Sequence, residues 1–397
     1  MKKISLVMIG LVIAVWVTSS FGVEPTWQMI LGDPQKNQEA NYVIPLDKGG
    51  YVIAGSVSPG VHGDRDMFIA CVTKAGQIAW QKEYGGIYTD YGMTVQPTWD
   101  GGYILVGEKS IDGENCTAIY LVKTDKFGDS IWTRTFYVDK YYFGPNAIRA
   151  TKDSGYIIAG STDCETNGGY DVHLVKVDAQ GNYQWDQLYG GEADDMGNSV
   201  ELTSDGGYIV YGSSSSDAIG MFDMYIIKTD EHGDTIWTRK MGRVYGDIAL
   251  SVKETPDGKY IICGETDMMS KTNVASNPML VKLDKDGKRV WYQEYGGPQN
   301  DGFQSLAQTS DKGFAVVGYT NSFGNGSKKD VYLVRTDSLG KELWHKTFGD
   351  NSTDYGACIA QTKDNGFIIC GTYTSPFSNT TDIYLIRTDA EGNVKQQ

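Results

Sequence analysis

The sequence predicts an all-β fold, a seven-bladed β-propeller with four antiparallel strands per blade and a ring closed by the N-terminal strand. Three observations carry this. Seven Trp recur, at Trp27, Trp80, Trp132, Trp185, Trp237, Trp291 and Trp344, with spacings of 53, 52, 53, 52, 54 and 53. Every interval holds the same succession of short apolar runs and Gly/Asp turns, with no long apolar pattern at helical spacing. The chain also opens on one strand type and ends just after another, so the strand count closes only if the first strand completes the last blade.

Residues 1–22 read as a signal peptide. Lys2 and Lys3 precede an almost unbroken apolar run from Ile4 to Val17, and Ser20 and Gly22 suit cleavage after Gly22. The run is shorter than the ~20 residues a bilayer span needs. No Cys follows it before Cys71, so a lipid anchor is not expected. Residues 23–397 then form a single propeller domain, secreted, periplasmic or on the cell surface, with no membrane span once the signal is removed.

Each unit starts at its Trp. A Tyr-Gly-Gly type turn follows, as in Tyr84-Gly85-Gly86 and Tyr189-Gly190-Gly191. An Asp stands ten residues after Trp in most units (Asp90, Asp195, Asp301, Asp354) and opens a short first strand, A. A turn such as Asp205-Gly206-Gly207 leads into strand B (YILVG, YIIAG, YIVYG, YIICG, FAVVG, FIICG). A loop of about ten residues, rich in Ser, Asn, Thr and Gly, precedes strand C, opened by a second Asp (DVHLVKVD, DMYIIKTD, DVYLVRTD, DIYLIRTD). A Gly turn returns to Trp and strand D. The runs are rich in Ile, Val and Tyr and bounded by Gly and Asp, which is strand chemistry. Strands B and C are continuously apolar, so both their faces should be buried. A β-solenoid is the alternative, but its coils are shorter and usually lack a large aromatic each.

Closure follows from the ends. Thr26 to Ile30, holding Trp27, is a D-type strand, and Asp382 to Asp389 is the last C-type strand. Pairing them removes an exposed sheet edge. Val394 to Gln397 competes for that edge but has no Trp to bury. The seven Trp are expected to pack blade on blade rather than bind ligands, while Trp99 lies outside the series and should be exposed.

The turns Thr124-Asp125-Lys126-Phe127-Gly128, Thr229-Asp230-Glu231-His232-Gly233 and Thr336-Asp337-Ser338-Leu339-Gly340 each precede a Trp by four residues. They resemble the Asp-box of sialidase propellers and the tryptophan-docking motif of quinoprotein-type propellers, where the motif is structural. The whole unit, over residues 27–392, resembles the secreted bacterial β-propeller repeat (SBBP type). That resemblance implies the fold and a surface or secreted setting, and little about activity. Blade 3 departs by having no Gly-Gly after Trp132, blade 5 has Arg243 for the second Gly, and blade 1 has no Asp before its Gly76 turn.

The chain holds 35 Lys and Arg against 50 Asp and Glu, a net charge of −15. That balance excludes a nucleic-acid binder, which needs a basic face. No Arg triad of sialidase type is visible, because Arg335 and Arg387 share a scaffold position with Lys123, Lys176 and Lys228. The four His occupy unrelated repeat positions, and no phosphate loop, nucleophile elbow or CxxC occurs. No cofactor is expected, apart from a Ca²⁺ candidate at Asp194 and Asp195, for which turn capping is the competing role. Cys263 and Cys370 sit in apolar strands and are expected to be buried free thiols. Cys116 and Cys164 fall in polar loops of neighbouring blades, where a disulfide is a candidate.

Positions shared by all units serve the fold, so departures mark candidate sites. The D-to-A and B-to-C connections should share one face. Blade 3 replaces its Gly turn with a loop holding Tyr141, Tyr142 and Phe143; Tyr88, Tyr91 and Tyr170 should border it, and Arg243 with Tyr245 should lie across the channel mouth. Exposed Tyr suits stacking on a sugar or anchoring a protein; filling a packing gap is the competing role. The expected function is a non-catalytic extracellular binding or scaffold module, monomeric, with a protein or polysaccharide partner. The alternative is a glycan-acting enzyme (sialidase- or lyase-like) or a quinoprotein-like one.

Overall fold

The computed structural model describes residues 25–111, 117–136, 142–166, 168–268, 275–324, 328–375 and 380–395. Its first strand is β1 (Trp27–Leu31). The first complete sheet is β2 (Asn37–Pro45), β3 (Tyr51–Ser58), β4 (Asp66–Val72) and β5 (Ile78–Tyr84). The second is β6 (Asp90–Pro97), β7 (Tyr103–Ser110), β8 (Thr117–Thr124) and β9 (Ser130–Phe136). The third is β10 (Phe143–Ala150), β11 (Tyr156–Thr162), β12 (Asp171–Val177) and β13 (Tyr183–Tyr189). The fourth is β14 (Asp195–Leu202), β15 (Tyr208–Ser214), β16 (Asp223–Thr229) and β17 (Thr235–Met241). The fifth is β18 (Gly246–Glu254), β19 (Tyr260–Met268), β20 (Asn277–Leu283) and β21 (Arg289–Glu294). The sixth is β22 (Asp301–Gln308), β23 (Phe314–Thr320), β24 (Asp330–Thr336) and β25 (Glu342–Phe348). The last comprises β26 (Asp354–Gln361), β27 (Phe367–Thr374), β28 (Thr381–Thr388) and, from the other end of the chain, β1.

The sheets are therefore seven blades of four antiparallel strands. Each first strand touches the first strands of both flanking blades, and β2 meets β26 to complete the circle. In the closing blade β1 pairs with β28 from Trp27↔Arg387 to Leu31↔Ile383. Val394 does not displace it: Lys395 N–H instead donates to Thr26 Oγ1 at 2.9 Å. The strands expected to be buried on both faces are so, β11, β12, β15, β16, β23 and β24 being buried along their whole length. The outer strands alternate exposed and half-buried.

One expectation needs correction. The first strands are not short; they run eight or nine residues. Each carries a bulge at one repeat position, between Ala40 and Tyr42 in β2 and between Gly197 and Ser199 in β14, for example. The bulge breaks the period-2 pattern, which hid the strand's length. The bulged Asn41, Asn146 and Asn198 donate to backbone carbonyls of the next inner strand, at Gly92 (2.8 Å), Gly197 (2.7 Å) and Ala249 (2.9 Å).

The Trp series joins blades, as its periodicity implies. Each ring meets an aromatic at the start of strand B in the following blade, from Trp27–Tyr51 (6.0 Å) and Trp80–Tyr103 (6.2 Å) to Trp344–Phe367 (6.3 Å). Under each Trp lies a Gly turn of that following blade. Gly128 shows why: its φ is +79°, and an added Cβ would stand 2.6 Å from the Trp80 ring. The turn therefore needs Gly for its backbone and for the ring above it. Trp27, supplied by β1, makes the same contact onto the first blade and is 3% exposed. Trp99 is exposed, as expected.

The C-strand cations are scaffold. Lys123, Lys176 and Lys228 pair with Asp100, Asp153 and Asp205 at 2.8–3.0 Å, and Arg387 pairs with Asp364 at 2.6 Å. In the C-to-D turns Asp125 and Asp230 accept the N–H four residues on; in blade 1 Thr73 Oγ1 takes their place, accepting the Gln77 N–H.

Candidate functional site

The D-to-A and B-to-C connections do meet on one face, tied by backbone bonds from one blade to the next. Asp90 N–H donates to Arg65 O at 2.9 Å, Asp195 to Tyr170 O at 2.6 Å and Asp247 to Phe222 O at 2.9 Å. The two repeated Asp fix this junction together. Asp195 is fully buried; its Oδ2 accepts the Gly191 N–H (2.8 Å) and the Ser216 hydroxyl (2.7 Å). Asp171, the C-strand Asp of the preceding blade, lies against the same turn: a Cβ on Gly190 would stand 1.8 Å from Asp171 Oδ1 and 2.8 Å from Asp195 Oδ2. The first Gly of the Tyr-Gly-Gly turn thus exists to admit two carboxylates.

At two other junctions burial raises a carboxyl's affinity for protons. Burial pushes the Asp90 carboxyl above the usual range and nearby Asp66 adds to it, against the Gly86 N–H and Lys109. Asp354 is pushed up to about 6, by burial first and then by Asp350 and Asp330. Asp194, by contrast, is exposed and accepts the Tyr170 N–H at 3.0 Å. Asp195 caps its own turn, whereas Asp194 bonds across to the neighbouring B-to-C loop. Among the described residues no group of three or more His, Cys, Asp or Glu is placed to hold a metal ion.

The aromatic cluster comes together in part. Tyr142 and Tyr170 form a T-shaped pair at 5.4 Å, joining the D-to-A and B-to-C loops as expected. Tyr142 is anchored rather than free: its hydroxyl donates to Glu108 (3.2 Å) and its N–H to Asp163 (2.7 Å). Burial and the Glu108 charge both raise its phenol pKa. Phe143 is a correction. It is 8% exposed, packs on His173 at 5.6 Å and opens β10, so it belongs to the core. Tyr141 and Cys116 lie outside the described residues; Cys164 is half-buried. Tyr91 is 38% exposed under the Arg65 guanidinium (4.8 Å), and Tyr88 is half-buried.

Arg243 is a second correction. It turns outward, not across the channel mouth, with its guanidinium on Glu294 and the Tyr292 hydroxyl at the end of outer strand β21. An acidic partner on the rim draws it there. Tyr245 is half-buried beside it.

Several features of this face were not foreseen. Two pairs of loops lift aliphatic side chains into solvent: Val61 and Ile87 (both 72% exposed), and Ile219 and Val244 (73% and 71%), with Met221 at 50%. Each B-to-C loop is held by its C-strand Asp, since Asp66 Oδ2 accepts the His62 N–H (2.8 Å) and Asp223 Oδ2 the Ile219 N–H (2.9 Å). On strand B, Glu108 and Glu265 occupy the position of Ser56, Ser161 and Ser213. Glu265 accepts from Tyr319 (3.0 Å) and Gln304 (3.4 Å), while Lys329 sits 3.5 Å from the Tyr319 ring centre. Burial raises Glu265 to about 7. Deeper along the inner strands, Arg149, Glu201 and Lys253 share one repeat position. Glu201 takes Arg149 at 2.7 Å and also Lys253, and Arg149 reaches the Tyr42 ring (5.7 Å). Aligning the units residue by residue would have exposed both departures.

Solved structures confirm the architecture. The chain is a seven-bladed β-propeller. YCF48 bound to D1 peptide is similar, with a TM-score of 0.51, 12% identity, and coverage of 95% of this chain and 97% of that one. The polysaccharide lyase Uly1 gives 0.51 at 9% identity, covering 88% and 90%. The propeller domain of the Trilobed protease from Pyrococcus furiosus gives 0.50 at 10% identity, covering 89% and 95%. These identities carry the fold alone. No family model matches the sequence. The regulatory protein FlaEY of Caulobacter vibrioides is 24% identical over 180 residues, taking in 39% of this chain. The match spans only 19% of that relative's length.

Proposed function

We propose that this protein is a non-catalytic binding or scaffold module, exported by its N-terminal signal, that presents the loop face of the ring to an extracellular protein or polysaccharide. The observation that carries the reading is the set of aliphatic side chains raised on Asp-braced loops at Val61, Ile87, Ile219 and Val244. Exposing them costs solvation, and a rigid scaffold bearing such groups is the usual form of a recognition surface. Tyr91 and the Tyr142–Tyr170 pair extend the patch with rings that stack on sugars or anchor proteins. The similarity to a propeller bound to a peptide is consistent with it.

The test is a screen of the purified protein against glycan and peptide arrays, with and without Ca²⁺. For any ligand found, Val61→Asp with Ile87→Asp should weaken binding at least tenfold and leave the melting temperature nearly unchanged. Trp99→Ala, on the opposite face, should do neither. Loss of binding in the Trp99 variant alone would refute the loop-face assignment.

A second reading is favoured by Glu265. A buried carboxyl near pKa 7, bonded to Tyr319 and flanked by Lys329, has the protonation state of a general acid. Under this reading the protein cleaves a glycan. Glu265→Gln would abolish any such activity and leave loop-face binding intact.

A further inference from the structure

Cys358 of β26 and Cys370 of β27 are register partners, directly opposite one another in the closing blade. Both are buried, at 5% and 0% exposure. The other six blades never place two Cys at this pair: it reads Tyr42 and Ala54, Thr94 and Val106, Ala147 and Ala159, Ser199 and Tyr211, Ser251 and Cys263, Ser305 and Val317. The exception falls in the one blade assembled from both ends of the chain.

We propose that Cys358 and Cys370 form a cross-strand disulfide when the chain folds in oxidising surroundings, stapling the sheet that must receive the N-terminal strand. Directly opposed strand residues lie within the Cα separations a disulfide accepts. The chemistry is exchange with a small disulfide such as oxidised glutathione. One thiolate attacks the oxidant's S–S bond and expels one thiol; the second cysteine displaces the other. The protein loses two protons and two electrons, which the oxidant takes up as its two thiols. The neighbouring Cys370 holds the Cys358 thiol below the usual thiol range, which favours the attacking thiolate.

In the reduced form each thiol points at a backbone carbonyl of the first blade, Cys358 Sγ to Val43 O (3.9 Å) and Cys370 Sγ to Ala40 O (3.6 Å). Oxidation gives up these two weak contacts for a covalent tie inside the last blade. The proposal does not rest on the binding reading.

The test uses the full chain, reduced and denatured, then refolded with mixed oxidised and reduced glutathione and trapped by alkylation. Peptide mapping should join the segments holding Cys358 and Cys370, and the oxidised protein should melt several degrees above its dithiothreitol-treated form. Cys358→Ser with Cys370→Val copies the pair of the sixth blade, so it should fold. It should lose both the linked peptide and the reductant-sensitive increment. Both cysteines alkylated, glutathionylated or joined to other cysteines in natively folded protein would overturn the proposal. So would a linked product that fails to recover the native β-sheet spectrum.

Discussion

At the scale of single residues, two kinds of glycine in the same repeat do different work. Gly190 admits two carboxylates, and a methyl group there meets Asp171 Oδ1 at 1.8 Å. Gly101, at φ +82°, has open space around its missing side chain. We expect Gly190→Ala to cost about 2–3 kcal/mol through forced displacement of buried acids, and Gly101→Ala about 1–2 kcal/mol of backbone strain alone. Denaturant melts of the two variants check the order; equal losses would show that the carboxylates yield freely. The sequence displayed the Asp and the Gly as separate turn residues. Their partnership across a blade junction was not legible, because 19 positions separate Asp171 from Gly190 and only the folded blade joins them. Phe143 escaped for a related reason: a loop rich in aromatics looks exposed until a strand begins inside it.

At the scale of elements, strand D carries the contact that makes one blade recognise the next. Trp27 is the instructive member, since its indole N–H donates to Lys74 O at 2.8 Å while its ring meets Tyr51. Trp27→Ala should destabilise the fold by about 3–5 kcal/mol, as for other buried aromatics. Trp99→Ala should change it by less than about 0.5 kcal/mol. Thermal denaturation of both separates a docking Trp from a surface one. This level was almost fully readable in advance, because a residue recurring at seven positions announces its structural role. What escaped were the full length of the inner strands, where a bulge disguises the period, and the single-unit departures such as Glu265 and Arg149, which a repeat pattern treats as noise.

The whole ring responds to pH through these buried acids, in two opposite senses. Asp354 and Glu265 bind protons more tightly folded than unfolded, at about 6 and about 7. Their stabilisation is complete below about pH 4 and is lost as pH rises through 6 and 7. Glu201, held near 2 by Arg149 and Lys253 against the opposing effect of burial, contributes above about pH 4.5 and loses its share as pH falls toward 2. The melting temperature should therefore rise on going from pH 7.5 to 5, by the equivalent of about 3–4 kcal/mol, and fall below pH 4. Asp354→Asn and Glu265→Gln together should flatten the upper limb; a double variant with the wild-type profile would place its origin elsewhere.

The pairing of Trp27 with Arg387 also sets a clock. These partners are 360 positions apart, 387 less 27, so β1, the first of the described strands to be made, pairs with the last of them. At about 5–20 residues per second, synthesis keeps them apart for roughly 20–70 s. The sixth blade has all its strands at Phe348, 40 residues before β28 ends at Thr388. Throughout that interval the Trp27 indole has no β28 beside it, and the growing arc has two raw ends instead of none. The seventh sheet cannot take up β1 until β28 has been made.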